Sequence, residues 1–326
     1  MLFRFGTVAT TVIDTASLLD HACRRAGIPA ERQTPEIVSA AKESIYMLLL
    51  GLSNKGYNLW CVEKFYQGLI VGKTTYDFPD GTLTLVSAHF SKPSLVSSSQ
   101  SATTLVTTTT LTTQSTVARV GLKFSSVTAT DTVTVEASTD NISWTTLAVK
   151  VGDLQTDSTI WIQPAIVSSY LYVRATTLLA AVCTMYIANG VSDLPMAPWS
   201  RDQYQNLNNK FQSGSPSTNY YFERTLPPKI TIWPVPTVDT DHLTLIRHRQ
   251  IQDVGTLSNQ LEVPQRWLES ITWQSALRIA VETPGVDPTR IQLCKQMADE
   301  HTIEVENDET DGMPVSIAPN VSVYTS

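Results

Sequence analysis

SIYMLLLGLSNKGYNLWCVEKFYQGLIVGKTTYDFP, residues Ser44 to Pro79, decides how the rest of the chain is read. It begins as an amphipathic helix and breaks at Asn54-Lys55-Gly56, with Trp60 just beyond the break. The period then shortens to two. Phe65, Gln67, Leu69 and Val71 share one side of a strand, Gly72-Lys73 makes a turn, and Thr75 to Phe78 gives a second strand stopped by Pro79. A helix that hands over directly to a hairpin predicts an α+β fold. Nothing in the stretch is a catalytic constellation.

Toward the N-terminus, Asp14 or Thr15 can cap a helix over Ala16 to Ala26, with Leu19, Ala22, Cys23 and Ala26 at helical spacing. Gly27 suits the position after its end, and Pro29 prevents continuation. The next helix has Thr34 as cap, Pro35 at its first position and Glu36 at the positive end of the dipole. Ile37, Ala41, Ile45, Leu48, Leu49 and Leu52 form its apolar stripe, down to about Asn54.

Toward the C-terminus, Thr82 to His89 reads as a strand. Between Ser91 and Ala118, 16 of 28 residues are Ser or Thr, and no charge occurs from Pro93 to Ala118. This is either a weakly patterned β segment, which Thr tolerates, or a surface loop. Arg119 to Asn189 holds short alternating segments separated by Asp, Asn, Gly and Pro, the pattern of a sandwich, with Asp140-Asn141 as the turn of a hairpin that leads into a Trp-led strand. Ser200 caps a short helix, Arg201 to Leu207. Tyr220 to Glu223, Lys229 to Trp233 and Leu243 to Arg249 are strands, with prolines at their edges.

Two helices follow. Pro264 opens the first, whose Trp267, Leu268, Ile271, Trp273, Ala276, Leu277, Ile279 and Ala280 cover more than one face. It is therefore buried on two sides or placed at a subunit interface, and Trp267 and Trp273 become interface candidates. Asp287-Pro288 starts the last helix, with Ile291, Cys294, Met297 and Ala298 inward. From Asp299 to Asp311 there are seven acids and no Lys or Arg, which opposes the dipole at a helix C-terminus. Beyond Gly312 the pattern of Val315, Ile317, Val321 and Val323 reads as an extended arm able to add a strand to a neighbour.

The expected architecture is a discontinuous domain of helical bundle plus small β-sheet, residues 1–90 with 191–311. A jelly-roll-like β-sandwich is inserted at 91–190, and 312–326 is an extended C-terminal arm. Net charge is −7, which argues against a surface that coats nucleic acid. Charged residues are only 16 %, so much of the surface is Ser, Thr and Gln or is covered by partner subunits. Cys23, Cys61, Cys183 and Cys294 are far apart, without metal-ligand spacing, and read as buried thiols in a reducing compartment. No export leader or membrane-spanning run is expected.

Enzyme motifs are absent: no GxSxG, HExxH, P-loop or GxGxxG after a strand. His242 and His248 on one strand would lie roughly 20 Å apart, too far to share a metal. The pairs Glu43 with Glu63 and Asp202 with Glu223 are not singled out by their spacing. Arg247 and Arg249 point to one face of a strand and could meet phosphate or an acidic partner; a solvated face or a salt bridge between subunits is the plainer reading. No catalytic, metal or cofactor residues are expected.

Two resemblances add to this reading. Ser138-x-Asp140-x-x-x-Trp144 followed by Tyr170-Leu-Tyr-Val-Arg174 resembles galactose-binding or discoidin-type jelly rolls. There Trp144 and Tyr172 could line a sugar platform, although a Trp in the sandwich core is the commoner fate. Five segments in order resemble the head-to-tail adaptor proteins of short-tailed bacteriophages, also called tail accessory, head-completion or packaged-DNA-stabilisation proteins. They are LLLGLSNKGYNLWCVE, GLIVGKTTYDFP, WSRDQYQNL, PSTNYYFERTLPPKITIWPVP and LTLIRHRQIQDVGTLSNQLEVPQRW. The match runs from Leu18 to Glu304 and departs from the family at the insertion after His89. It implies a homo-oligomeric ring, commonly twelve copies, beneath the portal protein of the capsid. Such a ring extends the DNA channel, retains packaged double-stranded DNA without reading its sequence, and carries the tail nozzle or fibres. It implies a virion protein of the head-tail neck, assembled in the bacterial cytoplasm, with no membrane partner. The alternative is a carbohydrate- or fibre-binding tail component acting through the insertion.

Overall fold

The computed structural model describes residues 13–55, 59–100, 104–125, 131–152, 158–165, 167–252 and 255–308. The fold is mixed α+β and divides into a helical unit, residues 1–61 with 250–326, and a β unit, residues 62–249.

The helical unit contains α1 (Thr15–Arg25), α2 (Pro35–Lys55), α4 (Leu268–Glu282) and α5 (Pro288–Asp308). Each begins or ends as its local chemistry dictates. Asp14 accepts from the Ser17 N–H at 2.9 Å and caps α1, and Gly27 takes φ +83° just beyond α1. Pro35 occupies the first turn of α2 after Thr34, and Asp287 accepts from the Thr289 N–H at 3.0 Å ahead of α5. The penultimate helix differs slightly from expectation: Pro264 leads into a 3-10 turn, Gln265–Trp267, before α4 proper.

α4 packs against α1, α2 and α5, so its excess of apolar positions serves burial on several sides. One core joins Leu18 and Ala22 of α1, Ile45 and Leu49 of α2, Ile271 and Ile279 of α4, and Cys294 of α5. Each large aliphatic side chain fully buried there contributes roughly 1.5–3 kcal/mol. The four helices, contributed by two separate stretches of the chain, share this one core.

The β unit is built from fourteen strands and one short helix among the described residues. The long sheet runs in the order β1 (Val62–Gly68), β14 (His242–Arg249), β3 (Thr82–Gln100), β10 (Cys183–Pro195), β5 (Arg119–Phe124), β8 (Ile160–Ile162). A small sheet runs β11 (Ala197–Pro198), β12 (Asn219–Glu223), β13 (Lys229–Trp233), β2 (Thr75–Asp77), with α3 (Arg201–Gln205) following β11 in the chain. An outer sheet runs β4 (Thr104–Thr116), β9 (Ser169–Ala181), β6 (Thr132–Ser138), β7 (Thr145–Val151).

These three sheets enclose two cores. Tyr76, Phe90, Ile230, Ile232, Leu243 and Leu245 fill the core between the small sheet and one part of the long sheet. Leu122, Phe124, Val133, Leu147, Val173 and Met185 fill the core between the outer sheet and the other part. The long sheet serves both. β3 pairs with β14 from Thr82 to Ser91 and with β10 from His89 to Gln100. The domain boundaries expected at 90/91 and 190/191 thus fall inside β3 and β10, two continuous strands. The Thr-rich segment supplies the end of β3 and all of β4, with residues 101–103 outside the described part.

The close approach of β1 and β8 depends on glycine. A Cβ on Gly68 would stand 2.1 Å from the carbonyl oxygen of Thr159.

Candidate interaction surfaces

The polar residues singled out in the sequence are largely used inside the chain. β1 and β14 are antiparallel, with Glu63 opposite Arg247. Arg247 Nε donates to Glu63 Oε1 at 2.7 Å, and its Nη2 donates to the same oxygen. Its Nη1 donates to the Pro79 carbonyl at 3.1 Å and to Thr82 Oγ1 at 2.7 Å. Arg249 Nε reaches Glu63 Oε2 at 3.1 Å. Burial works to raise the Glu63 carboxyl, but the two guanidiniums outweigh it and hold it below the usual carboxylate range. Arg247 is buried at 8 % exposure, so this pair forms an internal ion cluster and not an open anion site.

His242 is fully buried on the opposite end of β14. Arg119 Nη1 donates to its Nε2, Trp161 stacks on its ring at 5.0 Å, and Tyr66 meets it edge-on at 5.9 Å. Burial first, then the Arg119 and Lys64 cations, push its pKa down to about 3. The ring is a neutral acceptor locked between aromatic groups. His248 lies at the far end of the same strand, consistent with the separation read from the sequence.

Trp267 corrects an expectation. It is 0 % exposed and packs on Trp60 with ring centroids 5.6 Å apart, so it meets its own core and not a partner. Trp60 is pinned by its indole N–H, which donates to the Glu262 carbonyl at 3.0 Å. Trp273 is half-buried: Arg25 lies over its ring at 4.4 Å, and its indole N–H donates to Glu269 at 3.0 Å. Val315, Ile317, Val321 and Val323 lie outside the described residues.

The helical unit also leaves some large apolar side chains on its surface. Met47 on α2, Val281 on α4 and Ile303 on α5 are 60 %, 64 % and 59 % exposed. At the end of the bundle where α1 leads to α2 and α4 leads to α5, a groove of about 800 Å³ is lined by Ile28, Arg32, Ile37, Pro284, Val286 and Arg290, among others. Arg290 is held there by donating from Nε to the Arg25 carbonyl at 2.6 Å.

In the β unit, Asp140 Oδ1 accepts from the N–H groups of Ile142 and Ser143 at 2.9 and 2.8 Å, and Asn141 takes φ +60°. This is the turn predicted at Asp140-Asn141. It presents Trp144 half-buried, outside the sandwich core, with the Arg174 guanidinium 4.0 Å from its ring. The core fate considered for Trp144 does not hold. Arg174 is itself fixed by Glu136 at 2.7 Å, one strand away on β6.

On the outer face of the small sheet, Trp199 packs on Trp233 at 5.4 Å and Tyr204 stacks on Tyr221 at 5.5 Å. Phe211, in the loop between α3 and β12, is 81 % exposed. This aromatic face was missed in the sequence; the recurrence of Trp and Tyr between Trp199 and Trp233 was its only signal.

The four cysteines are free and buried, and burial pushes the Cys183 thiol up to about 11. Among the described residues, no three His, Cys, Asp or Glu side chains could together hold a metal ion, and no helix is long and apolar enough to cross a membrane.

No family model matches the chain, and no curated protein matches it. Several solved structures resemble part of it. CBM32-1 from a family 31 glycoside hydrolase of Clostridium perfringens is 10 % identical and covers 36 % of this chain and 96 % of its own, at a TM-score of 0.24. The CBM32 of AlyQ, solved in complex with 4,5-unsaturated mannuronic acid, is 13 % identical over 33 % of this chain and 98 % of its own, also at 0.24. Chitosan-binding module 1 of a chitosanase/glucanase from Paenibacillus sp. IK-5 is 17 % identical over 37 % and 97 %, at 0.20. Scores this low carry no functional argument.

Proposed function

We propose that this chain is a structural virion protein, a connector of the head-to-tail adaptor type that assembles as a ring beneath a capsid portal. In that role it extends the DNA channel, retains the packaged genome and offers an attachment surface to the tail nozzle or fibres. The observation that carries the reading is the helical unit. It is closed around α4 from residues at both ends of the chain, and it still presents Met47, Val281 and Ile303 to solvent on three different helices. Apolar side chains left exposed on three helices are available to lateral and axial contacts in an assembly. The charged residues that could have formed a reactive or anion-binding site are instead spent on internal clusters, as at Glu63, Arg247 and Arg249. The order of the five sequence segments supports the same reading.

Electron microscopy of the purified protein mixed with its portal tests it. Rings seated on the portal are expected, and capsids lacking the protein should lose their DNA. Absence of rings together with full DNA retention overturns the proposal.

A second reading, carbohydrate or fibre binding by the outer sandwich, is favoured by one feature: Trp144 lies outside the core on a fixed turn, with Arg174 beside it. Binding of the intact chain to a glycan array, lost in Trp144→Ala, is its expected signature. The intact chain is required, because cutting at 91 and 190 would sever β3 and β10.

A further inference from the structure

Two helix-to-helix turns meet at one end of the helical unit. Gly27 turns the chain after α1 and Gly285 turns it after α4, both at φ +83°. Each turn lies against an arginine from the other. A Cβ on Gly27 would stand 3.6 Å from Arg290 Cγ, and one on Gly285 would stand 3.9 Å from Arg32 Nη2. The groove of about 800 Å³ between the turns therefore has both arginines in its lining. Ile28, Ile37 and Val286 belong to the lining and to the helical core at once, which gives the groove an apolar floor held in place from below. Pro284 and Gly285 are exposed and leave main chain open at the rim.

The charges of this groove are not matched to each other. Arg24, Arg25, Arg119, Arg174, Arg247 and Arg249 each pair with a carboxylate of the chain. Among the described residues Arg32 and Arg290 pair with none. Arg290 is oriented through Nε, which donates to the Arg25 carbonyl at 2.6 Å, so its terminal nitrogens have no carboxylate. Two acids also line the groove. Asp287 accepts from the Thr289 N–H at 3.0 Å ahead of α5, and Glu36 is exposed on the first turn of α2. Neither closes on an arginine.

We propose that this groove binds a peptide segment of another protein, in which an acidic side chain stands between aliphatic ones. The carboxylate takes charge-assisted hydrogen bonds from Arg32 and from the terminal nitrogens of Arg290. The aliphatic neighbours cover Ile28, Ile37 and Val286. A small inorganic anion meets the guanidiniums and leaves the apolar floor wet. An uncharged apolar segment covers the floor and strips water from two cations that have no partner, which is costly. An acidic and aliphatic segment satisfies both halves of the lining, and arginine pairs are a recurrent means of reading acidic motifs. The inference rests on neither the portal nor the glycan reading, and its test contains no portal and no glycan.

Panning a displayed random-peptide library against the full-length chain tests it. Enriched peptides should carry Asp or Glu flanked by Leu, Ile or Val. A synthetic copy of an enriched peptide should bind the parent, and should bind Arg32→Glu at least about tenfold more weakly. Arg32 is exposed and its side chain makes no hydrogen bond among the described residues, so Arg32→Glu should keep the parent's far-UV circular dichroism and thermal midpoint. Arg201→Glu, an exposed charge reversal on α3 of the β unit, should leave binding unchanged. Hydrogen exchange in the segment 283–287 should slow when the peptide is added. A library that yields no enriched peptide overturns the proposal, as does enrichment of basic or uncharged sequences. Equal binding by Arg32→Glu and the parent overturns it, and so does an equal loss in Arg201→Glu, which would mean attraction to bulk charge. A parent that sediments as an oligomer and becomes monomeric in Arg32→Glu places a second copy in the groove and overturns it as well.

Discussion

Arg119 donates to Nε2 of His242 inside the β unit, so a permanent cation faces a ring that must stay neutral. The ring's pKa is pushed down to about 3, against 6.5 for an unburied histidine. Between those values the unfolded chain binds a proton that the folded chain refuses. Stability therefore holds above pH 6.5 and falls as the pH drops from 6.5 toward 3, at up to roughly 1.4 kcal/mol per pH unit. Urea unfolding of the parent and of His242→Gln across pH 7.5 to 4.5 checks this. The variant keeps an acceptor for Arg119, and the difference between the two curves should shrink as the pH falls.

Glu63 is the shared acceptor for Arg247 and Arg249. Glu63→Ala leaves Arg247 buried without its carboxylate. A loss of about 2 kcal/mol is expected, below the cost for a fully buried pair because Glu63 is 38 % exposed. Arg249→Ala should cost less, because Glu63 then keeps both bonds from the more deeply buried Arg247. Thermal unfolding followed by circular dichroism decides, and equal losses would contradict the assignment.

Trp267→Ala removes the side chain that closes the helical core against Trp60. A loss of about 3–5 kcal/mol is expected, enough to melt the helical unit at moderate temperature. A tryptophan placed at an interface would behave in the opposite way, sparing the isolated chain and weakening only assembly. Helical ellipticity of the isolated variant distinguishes the two.

Gly68→Ala pushes a methyl group into the Thr159 carbonyl, where the obstacle is backbone and cannot rotate away. The expected cost is about 2–3 kcal/mol, carried by separation of β8 from β1. Hydrogen exchange should show faster opening of Ile160–Ile162, while exchange in β12 and β13 stays unchanged.

The sequence was most legible where a side chain acts on its own backbone. Asp14, Gly27, Pro35 and the Asp140-Asn141 turn could be placed because capping and turn geometry are local. Strand β13 was read at its true limits, since its alternation contrasts polar with apolar. β4 stayed ambiguous for the opposite reason: threonine lines both of its faces, with Thr107 and Thr109 buried and Thr108 and Thr110 exposed, so no contrast marks the period. β3 ran past its expected end because Lys92 could remain exposed while Pro93 was buried against the sheet. The role of Arg247 depended on a register with Glu63, a residue far away in sequence, which no local pattern reveals. Trp267 was misplaced because an apolar excess on a helix looks the same whether the second neighbour belongs to the same chain or to another. α4 has three such neighbours within its own unit.

The shared strands β3 and β10 also determine how the β unit bears load. Two sandwiches joined by a linker would swing apart at a hinge when pulled. Here the antiparallel ladder from His89–Pro195 to Gln100–Thr184 runs along both cores. Tension applied along these strands loads many backbone hydrogen bonds together in shear and does not peel them one at a time. A pull on the outer sandwich is therefore passed to the small sheet's core as a rigid lever passes it, with little give between.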